Sequence, residues 1–384
     1  MRRGSRTAAG VGLAIAALLP SVGTPARAAH PPIRHVFTIV LENNEMVTTF
    51  ALGQVAWPYL ARTLPLQGAF VPFYYGIGHN SLDNYTAMVS GQSPNPATQS
   101  DCEDPSTMGD SGPFSIDGNG QAIGVGCTYP ASIKSIATQL TGAGFTWKGY
   151  MEDMDAEPGV HRTTCRGPYM KDLIESPVPP GNPKTPDDYR AKHNPFVYFH
   201  SIFDDLAYCD AHDVPLTGFA ADLATEATTP NFSMIVPNQC NDGHDIPRCS
   251  DGSLGGLQRA NTWLKKWVPK IQASPAYKHD GLIIVLFDEA LIPLACCHEP
   301  KGPNLGANEN NGGSYGPLTP FAPGGGITGA IFISKYIKPL TISLKAYNHY
   351  SYLRSMEDLF GLAHLGYAAM PGLRPFGTDI YSGM

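Results

Sequence analysis

Charge is scarce in this 384-residue chain: Asp, Glu, Lys and Arg together make up 15% of it, and the 26 basic side chains are outnumbered by 33 acidic ones, for a net charge of -7. Phosphate backbones and anionic bilayers are bound mainly by clustered Lys and Arg. No such cluster is present, which argues against nucleic acid as a partner. No apolar run approaches the ~20 residues that span a bilayer. There is also no pair of C-x-x-C knuckles, so zinc held by thiolates is disfavoured. Fixed-period repeats, Ser/Pro/Gly linkers and charge runs are missing too, so nothing divides the chain. Its 41 Gly and 35 Pro amount to about a fifth of the residues, below the roughly 25–30% at which a sequence reads as low-complexity. One large packed domain with insertions is expected.

The first 28 residues stand apart. Arg2, Arg3 and Arg6 precede an apolar run over 11–19, and Ala26-Arg27-Ala28 supplies a small-x-small cleavage site. This pattern predicts a secretory signal peptide over residues 1–28, followed by a single domain over 29–384. The paired Arg2-Arg3 leaves the export route open between the general and the twin-arginine systems. Residues 1–28 hold four of the arginines and no acid, so the remainder has 22 basic against 33 acidic side chains, a net -11. An acidic chain with an anionic substrate needs a cation at its site.

All eight cysteines lie beyond residue 28. An even count in an exported chain predicts disulfides, with roughly a hundred possible connectivities. Cys240 and Cys249 make a plausible local bridge, and Cys296 and Cys297 are expected to pair with separate partners. The protein is read as secreted or periplasmic and as a monomer.

Short apolar runs at 35–41, 232–237, 281–287 and 329–334 predict buried strands, since continuous rather than alternating hydrophobicity marks strands covered on both faces. Helical stretches are expected over 84–90, 132–141, 217–225, 255–271 and 350–362. Strands alternating with helices imply an α/β fold with a mainly parallel central sheet flanked by helices on both faces. In such sheets ligands bind beyond the carboxyl ends of the strands. Glu42-Asn43 and Asp288-Glu289 follow two of the strands. Acids and amides there often just open turns, but two such pairs at one edge offer the converging oxygens that a divalent cation requires. The stretches 92–126 and 298–326 are expected as disulfide-held loops over that edge.

Three further windows carry chemistry. In Gly78-His79-Asn80-Ser81-Leu82-Asp83-Asn84, Ser81 stands just ahead of a helix. The window alone favours an N-cap, whereas a functional Ser81 would attack a phosphoryl group bound at the helix N-terminus, activated by a metal rather than by a neighbouring base. His244 is flanked by Asp242 and Asp245 in a polar loop, where a carboxylate could fix its tautomer. His193 stands in Lys192-His193-Asn194-Pro195-Phe196, and His349 in Tyr347-Asn348-His349-Tyr350; packing and capping are the plainer readings of these two.

With these windows, and with 144–152, 263–264 and 347–365, the chain resembles the bacterial phosphoesterase family of secreted acid phosphatases and phospholipases C, within the alkaline-phosphatase-like superfamily. It is most similar to the smaller acid-phosphatase branch, which includes phosphatidylinositol 3-phosphate phosphatases. The resemblance implies a phosphoric ester hydrolase with an alkaline-phosphatase-like fold and a divalent metal ion of unassigned identity, bound by Glu42, Asn43, Asp288 and Glu289. It implies Ser81 as nucleophile and His244 as the acid for the leaving group. Asn84, His193, Asp245 and His349 fall to substrate binding. Many relatives carry Pro where this chain has Asn80 and Asp83, and Asp where it has Asn261.

The expected activity is that of a phosphomonoesterase working through a phosphoserine, on small phosphate esters or phosphoinositides, with membrane contact only through a lipid substrate. A phospholipase C-type phosphodiesterase and a non-catalytic secreted binding protein are the alternatives.

Overall fold

The run at 35–41 forms the strand β1 (His35–Leu41), buried along its whole length. In the computed structural model, which describes residues 1, 30–102, 115–156, 162–167, 187–244, 249–313 and 323–383, β1 lies inside an eight-stranded sheet. The predicted leader and Asp245 fall outside the described residues. The other strands are β2 (Ala69–Val71), β3 (Trp147–Met151), β4 (Asp213–Pro215), β5 (Phe232–Val236), β6 (Gly281–Phe287), β7 (Ala330–Ser334) and β8 (Thr341–Ile342). Their order is β8-β2-β7-β6-β1-β5-β3-β4. Only β7 runs antiparallel to its neighbours, β6 and β2; every other pairing in this sheet is parallel.

Alternate residues of each central strand enter different cores, which explains why the sequence shows no polar alternation. Val36, Val40, Leu282, Ile284 and Leu286 pack with the helices α1 (Ser81–Ser90), α2 (Ile136–Gly142) and α4 (His349–Phe360). Phe37, Ile39, Leu41, Ile283, Val285 and Phe287 pack against the other face, under α3 (Leu257–Ala273).

Helix boundaries differ from expectation where side chains set them. α1 begins three residues before the predicted start, with Asn80 in an extended conformation as its N-cap. α2 begins only at Ile136, because Ser135 and Thr138 form a reciprocal capping box. The stretch expected over 217–225 is α-helical only at Phe219–Asp222, directly after a 3-10 turn at Leu216–Gly218. There the Thr228 and Thr229 hydroxyls donate to the carbonyl of Asp222 and end the helix.

All eight cysteines are paired: Cys102–Cys127, Cys165–Cys209, Cys240–Cys249 and Cys296–Cys297. The last pair corrects the expectation of separate partners. The other six cysteines satisfy one another, and Cys297 takes φ 65°, a left-handed conformation within the turn that closes the adjacent pair. The 298–326 stretch is therefore not cross-linked to a distant segment, whereas the 92–126 stretch is anchored through Cys102.

Candidate active site

The site begins with strand register. β1 and β6 are neighbours, and Leu41 pairs with Phe287, so the residues that follow, Glu42 and Asp288, emerge side by side. β5 flanks β1 on the other side, and its trailing loop returns to the same edge, where the Glu42 N–H donates to the Asp242 carbonyl at 2.9 Å. Asn43 adopts φ 48°, a left-handed conformation that Asn tolerates better than most residues. Its N–H donates to Asp288 Oδ1 at 2.9 Å, and the N–H of Glu289 donates to the same oxygen at 2.6 Å.

Ser81 is the first residue of α1, not its cap. Its hydroxyl donates to Glu42 Oε2 at 3.1 Å, so a carboxylate lies within reach of the serine's proton. The turn that presents Ser81 is organised by Asn84, which is fully buried. Asn84 Oδ1 accepts the N–H groups of Ile77 and Gly78, while Nδ2 donates to the carbonyls of Gly78 and Asn80 and, at 3.4 Å, to Glu289 Oε2. These contacts commit Asn84 to shaping the turn. Glu289 Oε2 also lies 3.9 Å from Nδ1 of the buried His79.

His193 stands between two carboxylates, with Nε2 3.1 Å from Glu42 Oε1 and Nδ1 3.7 Å from Asp242 Oδ2. Its ring stacks on Tyr85. The His244 N–H donates to Asp242 Oδ1 at 2.8 Å, which folds the half-buried His244 back toward the site. His349 is placed differently. It is wholly buried, with Nδ1 3.0 Å from the Tyr74 hydroxyl and Nε2 2.6 Å from the Asp288 carbonyl. Both ring nitrogens are thus engaged by the protein, and His349 buttresses the end of β6.

Burial governs the electrostatics. Glu42 is held well above the usual carboxylate range by burial and then by the charges of Asp288 and Asp242. Asp242 and Glu289 are raised chiefly by burial, as is Asp288, to about 6. Burial and the positive charge of Lys192 push His193 well down. So many buried acids in one place call for a cation, because an uncompensated buried charge is costly. Among the described residues the buried oxygens Glu42 Oε1, Asn43 Oδ1, Asp242 Oδ2 and Asp288 Oδ2 accept no hydrogen bond, the approach of His193 to Glu42 and Asp242 being an ion-pair contact. This all-oxygen donor set fits a hard divalent cation. A second group, Cys165, Cys209 and Asp213, has its atoms within 4.8 Å of one another, but the two sulfurs form a disulfide and offer no thiolate.

Sequence reasoning assigned no role to Asp242, His79 or Lys192. Asp242 was visible only as a flank of His244, and Lys192 only as the neighbour of His193. Asn261 accepts the N–H groups of Tyr59 and Leu60, the first two residues of the short helical segment Tyr59–Thr63, and so caps it from far along the chain.

The profile of the Phosphoesterase family matches residues 62–363. Phosphatidylinositol-3-phosphatase of Mycobacterium tuberculosis is 23% identical over 98% of this chain and 94% of its own length. Two fungal proteins align over less of theirs. The phosphate-repressible acid phosphatase of Penicillium chrysogenum is 24% identical over 59% of this chain and 42% of its own. The probable acid phosphatase of Kluyveromyces lactis is 24% identical over 87% and 59%. Among solved structures, a protein of the alkaline phosphatase superfamily from Vibrio parahaemolyticus superposes with a TM-score of 0.47 and 13% identity, covering 91% of this chain and 72% of that one.

Proposed function

Because the chain belongs to the Phosphoesterase family and is a phosphoric ester hydrolase, we propose that it is a metal-dependent phosphomonoesterase that works through a phosphoserine at Ser81. The observation that carries this reading is the Ser81 hydroxyl, set at the N-terminus of α1 and hydrogen-bonded to Glu42 Oε2 beside the unpartnered oxygens of Asn43, Asp242 and Asp288. Glu42, Asn43, Asp242 and Asp288 would hold the cation, with Glu289 behind them. When bound, such an ion lowers the pKa of the hydroxyl and neutralises charge on the transferring group.

The chain's own residues supply the rest. Ser81 Oγ attacks phosphorus in line, its proton passing toward Glu42 Oε2, and the bond from phosphorus to the leaving alkoxide breaks. His244 gives that alkoxide a proton, and His193, between Glu42 and Asp242, meets a phosphoryl oxygen. Water then attacks the phosphoserine from the opposite side, its proton passing to His244, while Ser81 Oγ leaves phosphorus and takes back the proton held by Glu42, releasing phosphate and restoring both groups. Asn84 keeps Ser81 aimed, since phosphoryl transfer depends mainly on positioning and electrostatics. The name of the mycobacterial relative supports a phosphoinositide among the substrates. The four disulfides support an exported protein; removal of residues 1–28 and a monomeric single domain over 29–384 belong to the same proposal and rest on the sequence pattern of the leader.

Phosphate release from p-nitrophenyl phosphate, bis-p-nitrophenyl phosphate and p-nitrophenyl phosphorylcholine, with and without chelator, tests the reading. Preference for the monoester, lost on chelation and restored by a divalent ion, is expected. Preference for phosphorylcholine would replace the monoesterase with a phospholipase C, and turnover that survives exhaustive chelation would remove the metal.

A further inference from the structure

Among the described residues, Lys192 is the lysine whose charge reaches the acid-rich site. Lys192 precedes His193, its side chain is 18% exposed, and its Nζ lies 2.8 Å from Asp101 Oδ2. The other oxygen of that carboxylate accepts the N–H of Leu82 at 3.0 Å, so Asp101 joins the ammonium to the residue next to Ser81. Asp101 itself is strongly held. It and Cys102 both have φ 55°, and Cys102 is tied to Cys127. Non-glycine residues persist in this conformation where the surroundings impose it. The positive charge of Lys192 is felt at Glu42, Asp242, Asp288 and Glu289, where it opposes their upward shift. Arg190, from the same short segment, acts likewise on Asp242.

A phosphate monoester and a diester differ at one oxygen. The monoester presents a third non-bridging oxygen and a second negative charge, where the diester carries an uncharged ester oxygen. Buried acids disfavour that second charge, so a site that takes monoesters must compensate it. We propose that Lys192, held in place by Asp101, pairs with the third non-bridging oxygen and thereby selects the dianionic monoester over the monoanionic diester. This rests on the reading of Ser81 as the centre of ester hydrolysis, and it assigns to Lys192 a recognition role distinct from neutralising the carboxylates.

The experiment compares the metal-loaded wild type with K192Q, K192R and D101N. It measures kcat/KM for p-nitrophenyl phosphate and for bis-p-nitrophenyl phosphate, and inorganic phosphate binding by calorimetry. In K192Q the monoester-to-diester ratio should fall about tenfold to a hundredfold, with weaker phosphate binding, the loss expected for one charged hydrogen bond. K192R should keep most of the ratio, and D101N, which keeps the lysine but removes its ion pair with Asp101, should fall between. A K192Q ratio within about twofold of wild type overturns the proposal, whatever happens to the overall rate, because loss of a charge paired with the third oxygen must cost the dianionic monoester more than the monoanionic diester. If K192Q shows no cooperative thermal transition, D101N decides: a lowered ratio supports the pairing and an unchanged ratio overturns it. Wild-type protein that turns over neither ester sinks the phosphatase reading instead, and phosphate affinity in K192Q against wild type then decides the role of Lys192 by itself.

Discussion

The Ser81 hydroxyl donates to Glu42 Oε2 across 3.1 Å, joining the first residue of α1 to the residue that follows β1. The two lie 39 positions apart in the chain, yet one hydrogen bond sets the direction of the hydroxyl. Ser81→Ala should lower kcat by about a thousandfold or more, as loss of a nucleophile does. The same variant should still bind inorganic phosphate. A kcat within about tenfold of wild type would reassign the nucleophile.

The clustered buried carboxylates of Glu42, Asp242 and Asp288, the first two of them faced by His193, predict that a divalent cation stabilises the fold. At a concentration about a hundred times its Kd, the ion should add about 2.7 kcal/mol to the unfolding free energy. Chelation should reverse the gain. Asp242→Asn should weaken the response, measured as the shift in Tm on metal addition; an undiminished shift would place the ion elsewhere.

Asn84→Ala leaves the N–H groups of Ile77 and Gly78 without their acceptor inside the protein. Each buried unsatisfied group costs about 1–3 kcal/mol, so Tm should drop markedly. The turn before Ser81 also loosens, and kcat should fall more than KM rises. A variant with lowered Tm but wild-type kcat would show that the turn is held by other contacts.

Glu357 offers a test of pH dependence away from the site. Burial raises its pKa from the ordinary 4.5 to about 9. The folded state therefore binds the proton more tightly than the unfolded state. The corresponding stability is complete below the unfolded pKa and is lost as pH rises through the folded one. Glu357→Gln keeps an acceptor for the Leu365 N–H and removes the titration. Between pH 5 and pH 8 the variant should gain on wild type by up to about 1.4 kcal/mol per pH unit, read from denaturant midpoints at each pH. Parallel pH profiles would show that Glu357 titrates normally.

Asn261→Ala removes the acceptor shared by the N–H groups of Tyr59 and Leu60. A capping loss of about 1–2 kcal/mol is expected. Asn261→Asp, which keeps a side-chain oxygen at the same place, should retain most of the stability. Equal losses in both variants would assign the effect to packing rather than to the cap.

The readable parts of the fold were those in which burial leaves a local signature. β1 and β6 stand in the sequence as unbroken apolar runs because each is covered on both faces. Their carboxyl ends announced Glu42 and Asp288, and the helix after Ser81 announced the serine. Residues whose task depends on a distant partner were not readable in this way. The resemblance gives both Asn84 and His349 to substrate binding, and the contacts each makes, the turn before Ser81 for one and the Asp288 carbonyl for the other, depend on partners that no local pattern shows. The pairing of Cys296 with Cys297 was hidden for the same reason, since it depends on where the other six cysteines meet.

By itself, then, the sequence determined the local chemistry of this protein: which segments can be buried strands, which side chains carry oxygen or imidazole, and which serine begins a helix. Those properties follow from composition and periodicity within a few residues. The tertiary structure decided which of these groups meet. Register between β1 and β6 set Glu42 beside Asp288, the loop after β5 added Asp242, and Asp101 drew Lys192 toward Leu82. Burial then gave those groups electrostatic properties that none has alone, because the cost of a charge depends on what surrounds it rather than on its neighbours in the chain.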